Sequence, residues 1–241
     1  MVVTKFPDVE SADENGLLAV GGDLEPETLL LAYSQGIFPW PVDDDGEITW
    51  FSPEERTVLF LDRVRIPKSL EKERRRRRYF FGINSNFETV IDGCRKSLRP
   101  YQFGTWITSE MRQAYVRLNR LGYVHSIECY ADERPESEPI GGLYGVSIGG
   151  MFAGESMYYL EPNASKLSLW FLIERLSALG VPWIDCQQMT PLLASFGAVT
   201  IGRADFLKMV HEQVQKPAEL FPSSLDKMRY PFAPLPLKTL G

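Results

Sequence analysis

The stretch Ile140–Tyr159, "IGGLYGVSIGGMFAGESMYY", decides how the rest of the chain is read. Its apolar and aromatic residues fall into two short runs, with Gly149-Gly150 between them. Glycine accepts the backbone angles of a tight hairpin turn, so the pattern predicts two strands joined there. The period then changes. In "NASKLSLWFLIERLSALG", Asn163–Gly180, the residues Leu169, Leu172, Ile173, Leu176 and Leu179 make one helical stripe, which Asn163 can cap and Gly180 can end. Next comes "VPWIDCQQ", Val181–Gln188, a short strand with an apolar start. A hairpin, a helix and a further strand predict a mixed sheet with a crossover helix, an α+β arrangement.

Working outward, "HSIECYA" before the hairpin alternates like a strand. "PLLASFGAVTIGR" and "ADFLKMVHEQVQ" after it predict a turn, a short strand and a helix. Upstream, "SEMRQAYVRLNRLG" and "NFETVIDGCRKSL" read as helices, the second with Phe87, Val90, Ile91 and Cys94 on its stripe. The first sixty residues are rich in Gly, Pro and aromatics. They hold a short helix that begins at Leu24-Glu25-Pro26-Glu27 and runs through Ala32, with Pro26 in its first turn and Gly36 at its end, and a β-type run "TVLFLD", Thr57–Asp62. The expected division is a small, loop-rich α+β unit over residues 1–62 and a mixed-sheet unit over 63–241, with a Pro-rich tail after Lys216. The element order of the second unit resembles that of acetyl-CoA-dependent acyltransferases, an acetyltransferase-like (GNAT-type) fold. Order alone does not carry function.

The chain of 241 residues is 44% apolar and 24% charged, a globular composition. No charged n-region precedes an apolar one at the N-terminus, and no apolar run approaches a membrane span; the expectation is a cytoplasmic protein. Cys94, Cys129 and Cys186 are widely spaced and include no C-x-x-C, which argues against a disulfide framework or a zinc knuckle. A histidine-based nucleophile would have to use His125 or His211. The first precedes a strand and reads as structural; the second lies in a polar helical stretch.

Against a net charge of −6, the segment Asp62–Phe80 holds nine Lys/Arg and three Asp/Glu, with five arginines in a row from Arg74 to Arg78. On a helix these circle the axis, so they cannot all meet one ligand. One reading is a solvated helix with pairs to Glu71 and Glu73. The other is a phosphate-binding face, since arginine grips phosphate oxygens bidentately and keeps its charge. A basic island on an acidic protein attracts a short stretch of RNA without general stickiness.

The strand "VPWIDCQQ" ends in polar residues. Alternation puts Asp185 and Gln187 on one side and Cys186 on the other. A carboxylate and an amide together can orient an incoming amine; alternatively Asp185 caps the next turn and Gln187 is solvated. Glu155, in "GESM", sits among apolar residues, where a carboxylate needs a donor such as Lys166 or a substrate ammonium. Cys186 has no histidine near it in sequence, and a buried thiol is inert.

Several segments in order resemble one family: "GLLAVGGDL", "AYSQGIFPW", "WFSPEER", "TWITSEM", "GGLYGVSIG", "GESM", "NASK", and "IDCQ" followed by "SFGA". The set, spanning about Phe6 to Leu207, looks like the bacterial leucyl/phenylalanyl-tRNA–protein transferases. The resemblance implies transfer of Leu, and also Phe or Met, from aminoacyl-tRNA to proteins beginning with Lys or Arg, which marks the acceptor for N-degron degradation. It implies no cofactor and no metal, because the tRNA ester is already activated. By motif it makes Asp185 and Gln187 the pair that readies the acceptor amine, with Asp185 holding Gln187, and Glu155 a residue of the aminoacyl site. It makes Trp50, Phe51, Trp106, Leu143 and Phe171 the wall for the Leu/Phe side chain and the terminal adenine; read without the family, such aromatics are core. It makes Arg74, Arg75, Arg77 and Arg78 the grip on acceptor-stem phosphates. Leu192 stands where the family often has a polar residue, and the "SLRPYQF" segment and the Pro-rich tail are longer than usual.

Two rivals differ in class. An N-acetyltransferase would need a glycine-rich pyrophosphate loop before the main helix, where this chain has "MYYLEPNASK". A non-catalytic tRNA-binding module would keep the basic helix alone. With no coiled-coil pattern, a monomer is the expectation.

Overall fold

The hairpin forms where the glycines allow it. Strands β7 (Gly141–Ile148) and β8 (Met151–Tyr159) pair antiparallel, and Gly149 between them has φ +56°. A β-carbon at Gly149 would lie 2.5 Å from the carbonyl oxygen of Val214, so no other residue fits that turn. The computed structural model describes residues 2–41, 47–76, 79–97, 107–222 and 229–231.

The hairpin is the middle of an eight-stranded sheet in the order β10 (Val199–Gly202), β4 (Glu55–Phe60), β9 (Trp183–Gln187), β8, β7, β6 (Val124–Tyr130), β5 (Phe80–Ile83), β11 (Tyr230–Pro231). Every neighbouring pair is antiparallel except β8 and β9. A parallel pair needs a long return connection, supplied here by α5 (Ala164–Ala178). A second, three-stranded sheet joins β1 (Leu17–Val20), β3 (Ile48–Phe51) and β2 (Phe38–Pro41).

Helices cover both faces of the large sheet. Strand alternation shows the division: Tyr144 and Val146 of β7 belong to one apolar cluster, Leu143 to the other. The first cluster lies under α1 (Pro26–Ser34), α3 (Phe87–Lys96), α4 (Ser109–Arg120) and α7 (Arg203–Val214). The second lies under α5, with α2 (Lys68–Arg75) and the short α6 (Pro191–Phe196) beside it. Helix α5 sinks Leu167, Leu169, Trp170, Leu172, Ile173 and Leu176 into that second cluster, each side chain stabilising by about 1.5–3 kcal/mol.

The α+β class stands, with local corrections. Asn163 precedes α5 in a left-handed conformation, φ +72°, and its side chain makes no capping bond. Leu179 is exposed at 47%, because the helix ends at Ala178 and Gly180 turns the chain away. The Thr57–Asp62 run is β4, which starts at Glu55 and ends at Phe60. A division at 62/63 leaves β4 with the first unit, yet β4 lies between β9 and β10 of the large sheet. Strands β1 to β3 were not foreseen. β2 accommodates Pro39 and Pro41 because it is an edge strand, where an N–H that points away from the sheet makes no ladder bond.

Candidate active site

Strands β8 and β9 pair only at Phe152–Ile184 and Ala153–Asp185. Just past that point each strand carries an irregularity. Opposite β7, Tyr144 faces Ser156 and Gly145 faces Gly154, so Glu155 is an extra residue with no partner. Opposite β4, Val58 faces Asp185 and Thr57 faces Gln187, so Cys186 is extra. Bulges re-aim side chains, and here two of them flank the place where the parallel strands part.

Asp185 is 1% exposed, and so is the arginine that meets it. Arg56 Nε donates to Asp185 Oδ1 at 2.8 Å and Arg56 Nη2 to Oδ2 at 2.6 Å, a bidentate pair. The guanidinium carbon sits 4.4 Å from the Phe38 ring and 4.7 Å from the Phe206 ring, and Nη1 donates to Gly36 O at 3.3 Å. Asp185 Oδ1 also accepts the backbone N–H of Gln187 at 2.9 Å. Gln187 has φ +59°, and the N–H of Gln188 donates to Cys186 O at 2.7 Å, closing a three-residue turn around it. Non-glycine residues rarely adopt this conformation, and it persists where surroundings impose it.

The Gln187 side chain turns to Glu155. Its Nε2 lies 2.7 Å from Glu155 Oε1; a carboxylate only accepts, so the amide nitrogen faces it and the amide oxygen points elsewhere. Tyr115 OH donates to Glu155 Oε2 at 3.3 Å, and Tyr33 OH is 2.6 Å from Tyr115 OH. Burial raises the Glu155 carboxyl to about 7, opposed by its hydrogen bonds to Tyr33, Tyr115 and Gln187. Burial beside Glu155 likewise holds both phenols well above their usual range, so they stay protonated donors.

The three polar residues singled out in the sequence therefore meet. Two details differ from expectation: Asp185 holds the backbone of Gln187, and Glu155 holds its side chain. Lys166, the other partner considered for Glu155, is exposed. Cys186 is half-buried with its thiol pKa raised by burial, the opposite of an activated nucleophile. His125 is buried, bonded to Asn84 and Gly122 O, and lowered to about 4 by burial; it is neutral and structural.

The expected aromatic wall does not gather in one place. Trp50 is 1% exposed, donates to Gly21 O at 2.9 Å and packs edge-on against Phe6. Phe51 stacks near Phe38. Both belong with the first cluster, whereas Leu143 and Phe171 lie with the second. Phe171 stacks on Phe81 at 5.0 Å. Trp106, Arg77 and Arg78 lie outside the described residues. Arg74 is a correction: it is 8% exposed, bidentate to Glu174 and 4.3 Å over the Trp170 ring, so its guanidinium packs α2 onto α5 instead of facing solvent. Arg75 and Arg76 are exposed, and Arg76 pairs with Glu73 at 3.3 Å.

Sequence reading missed Arg56, Tyr33 and Tyr115. Arg56 had a signal: it alternates with Val58 on the inward side of a strand, where a charge demands a buried partner. The tyrosines had none, since each sits on an ordinary apolar helix face. Among the described residues, no group of three or more His, Cys, Asp or Glu is placed to hold a metal ion, and no helix is long and apolar enough to cross a membrane.

A carboxylate–amide pair is thus clamped at the opening of a parallel strand pair, inside an α+β fold, an arrangement with the rigidity to position a reacting group. Comparison with known proteins fixes the class. The family described as "Leucyl/phenylalanyl-tRNA protein transferase" matches residues 58–211, and its N-terminal domain matches 22–54. Proteins named leucyl/phenylalanyl-tRNA--protein transferase are similar to the chain in Syntrophotalea carbinolica, 47% identical over 90% of this chain and 95% of that one, and in Maridesulfovibrio salexigens, 45% identical over 88% and 87%. One in Anaeromyxobacter sp. is 47% identical over 88% and 89%. Among solved structures, "The structure of L-PGS from Bacillus licheniformis" aligns with TM-score 0.43 at 12% identity over 80% of this chain and 71% of that one, too distant for fold or function to transfer. The protein is an aminoacyltransferase. It belongs to the leucyl/phenylalanyl-tRNA protein transferase family.

Proposed function

We propose that the enzyme moves Leu, and also Phe or Met, from aminoacyl-tRNA to the α-amine of proteins that begin with Lys or Arg, and so marks them for N-degron degradation. The observation that carries this reading is the contact between Gln187 and Glu155 beside the clamped Asp185, in a chain of this family. With its nitrogen facing Glu155, the Gln187 amide offers its oxygen to the acceptor amine and aims the lone pair at the ester carbon. The new C–N bond forms on that carbon, the C–O bond to the terminal ribose breaks, and the amine's proton goes to the departing ribose oxygen, which leaves as the hydroxyl. Glu155 also faces the ammonium of the bound amino acid or of the acceptor. No cofactor is required, because the ester supplies the driving force.

Phe51 and Trp106 stay in the reading as aminoacyl and adenine wall, with buried Trp50 in support; Leu143 and Phe171, in the other cluster, do not join that wall. Arg75, with Arg77 and Arg78, grips acceptor-stem phosphates; Arg74 supports the helix that carries them. Neutralising about three phosphates gives a salt slope near −2 to −3. The protein works as a cytoplasmic monomer, with a small N-terminal unit and an acetyltransferase-like sheet around the parallel pair.

The test is transfer of radiolabelled leucine from Leu-tRNA to a peptide headed by Arg, with wild type and Asp185→Ala. Near-complete loss in the variant with tRNA binding retained is expected. A wild type that leaves charged leucine on its tRNA in the presence of excess peptide refutes the function.

A further inference from the structure

We infer that Arg56 is a positioning residue for the transfer step, and that Asp185, locked by it, clamps the Gln187 turn and is not the group that takes the amine's proton. The inference rests on the transfer reaction proposed above.

Both oxygens of Asp185 are committed to fixed donors. Oδ1 accepts from Arg56 Nε and from Gln187 N, and Oδ2 accepts from Arg56 Nη2. The pair is almost wholly buried. A general base must present a lone pair to the proton it removes, within hydrogen-bond reach. Asp185 presents its oxygens to arginine and to backbone, while the amide that would relay a proton, Gln187 Nε2, points at Glu155. What Asp185 does hold is the left-handed turn at φ +59°. Release that N–H, and the conformation that β-carbons disfavour keeps only the Gln188–Cys186 bond and the Gln187 side-chain bond to hold it. The chain of cause then runs from the Phe38 and Phe206 rings to the guanidinium between them, to Asp185, to the Gln187 backbone, and to the direction of its side chain.

Lysine cannot replace this arginine. It offers a point charge with no planar fork and no flat face to lie between two rings.

The experiment compares kcat, KM for the Arg-headed peptide, the pH profile and thermal unfolding for wild type, Arg56→Gln, Asp185→Asn, the double variant, and Arg56→Lys. Each single amide variant leaves one buried charge unpaired and should lose about 100-fold in kcat with little change in KM. In the double variant two neutral amides can remake the clamp, so kcat should recover about tenfold or more over Asp185→Asn. The acid limb that Glu155 sets near pH 7 in wild type should survive in it but move to lower pH, because Glu155 still faces Gln187, Tyr115 and Tyr33 while the Asp185 charge that helps raise it has become neutral. A folded double variant no more active than Asp185→Asn, or one that has lost its acid limb, overturns the inference by putting the Asp185 charge into the chemistry. If the amide variants do not fold, Arg56→Lys decides: it keeps the charge, and full kcat in it shows that the bidentate grip is not needed. Inactive wild type refutes the proposed function instead.

Discussion

Gln187 and Glu155 join β9 to β8 through a 2.7 Å side-chain hydrogen bond just where the backbone ladder between those two strands stops. The ladder's last pair is Ala153–Asp185, and each strand then bulges. Side chains take over from backbone at the point where the strands open, and the state of that one bond sets which way the Gln187 amide faces.

The first consequence is a pH dependence. Ionised Glu155 accepts the Gln187 N–H strongly; protonated, it accepts only as a neutral oxygen and gains an O–H that competes for the Gln187 amide oxygen. With the carboxyl raised to about 7, kcat/KM should fall as pH drops through that value, with the ionised form active above it. Glu155→Gln should lower kcat/KM by about 100-fold and flatten that limb. An unchanged limb in the variant would assign it to another group.

Gln187 itself should act on the chemical step more than on binding. Gln187→Ala is expected to cut kcat by about 100- to 1,000-fold, with KM for the peptide near wild type. Gln187→Glu puts two carboxyls at hydrogen-bond distance, which raises the affinity of one for a proton and should move the acid limb to higher pH. Steady-state kinetics across pH measures both.

The arginine run divides into two kinds. Arg74→Ala strips the partner from Glu174 and the cover from Trp170, and should destabilise the fold by about 3 kcal/mol. Arg75→Ala should leave the unfolding midpoint unchanged, weaken tRNA binding and reduce the magnitude of the salt slope by about 1. Thermal unfolding beside a salt titration of tRNA binding separates them. A stable Arg74→Ala protein with weakened RNA binding would reverse the assignment.

Stability carries its own proton linkage. His125 is lowered to about 4 in the folded chain, so unfolded protein binds its proton more readily between there and 6.5. That contribution is present above 6.5 and is lost as pH falls to about 4. Glu128 and Glu155 are raised to about 7, so the folded state holds their protons, and their contribution falls as pH rises from about 4.5 to 7. Relative to His125→Gln, wild type should lose on the order of 3 kcal/mol between pH 7 and pH 4. Denaturant unfolding at several pH values checks it, and a constant difference between the two proteins would show that His125 does not titrate on unfolding.

What the sequence by itself determined is whatever a window of ten or twenty residues can encode. The hairpin came from its glycine pair, α3, α4 and α5 from their apolar stripes, β9 from an apolar start with a polar end. The same local contrast, polar residues where the pattern asks for apolar ones, singled out Glu155, Asp185 and Gln187. Tertiary structure alone decided what holds them. Arg56 reaches Asp185 across 129 positions of sequence and Tyr115 reaches Glu155 across 40, contacts set by strand order and helix packing. The two bulges and the left-handed turn at Gln187 depend on pairing register between separate strands. Arg74 looked like its four neighbours until the fold placed Glu174 and Trp170 beside it. Periodicity is a local property of the chain, whereas the partner of a buried charge is chosen by elements that meet only after the sheet has formed.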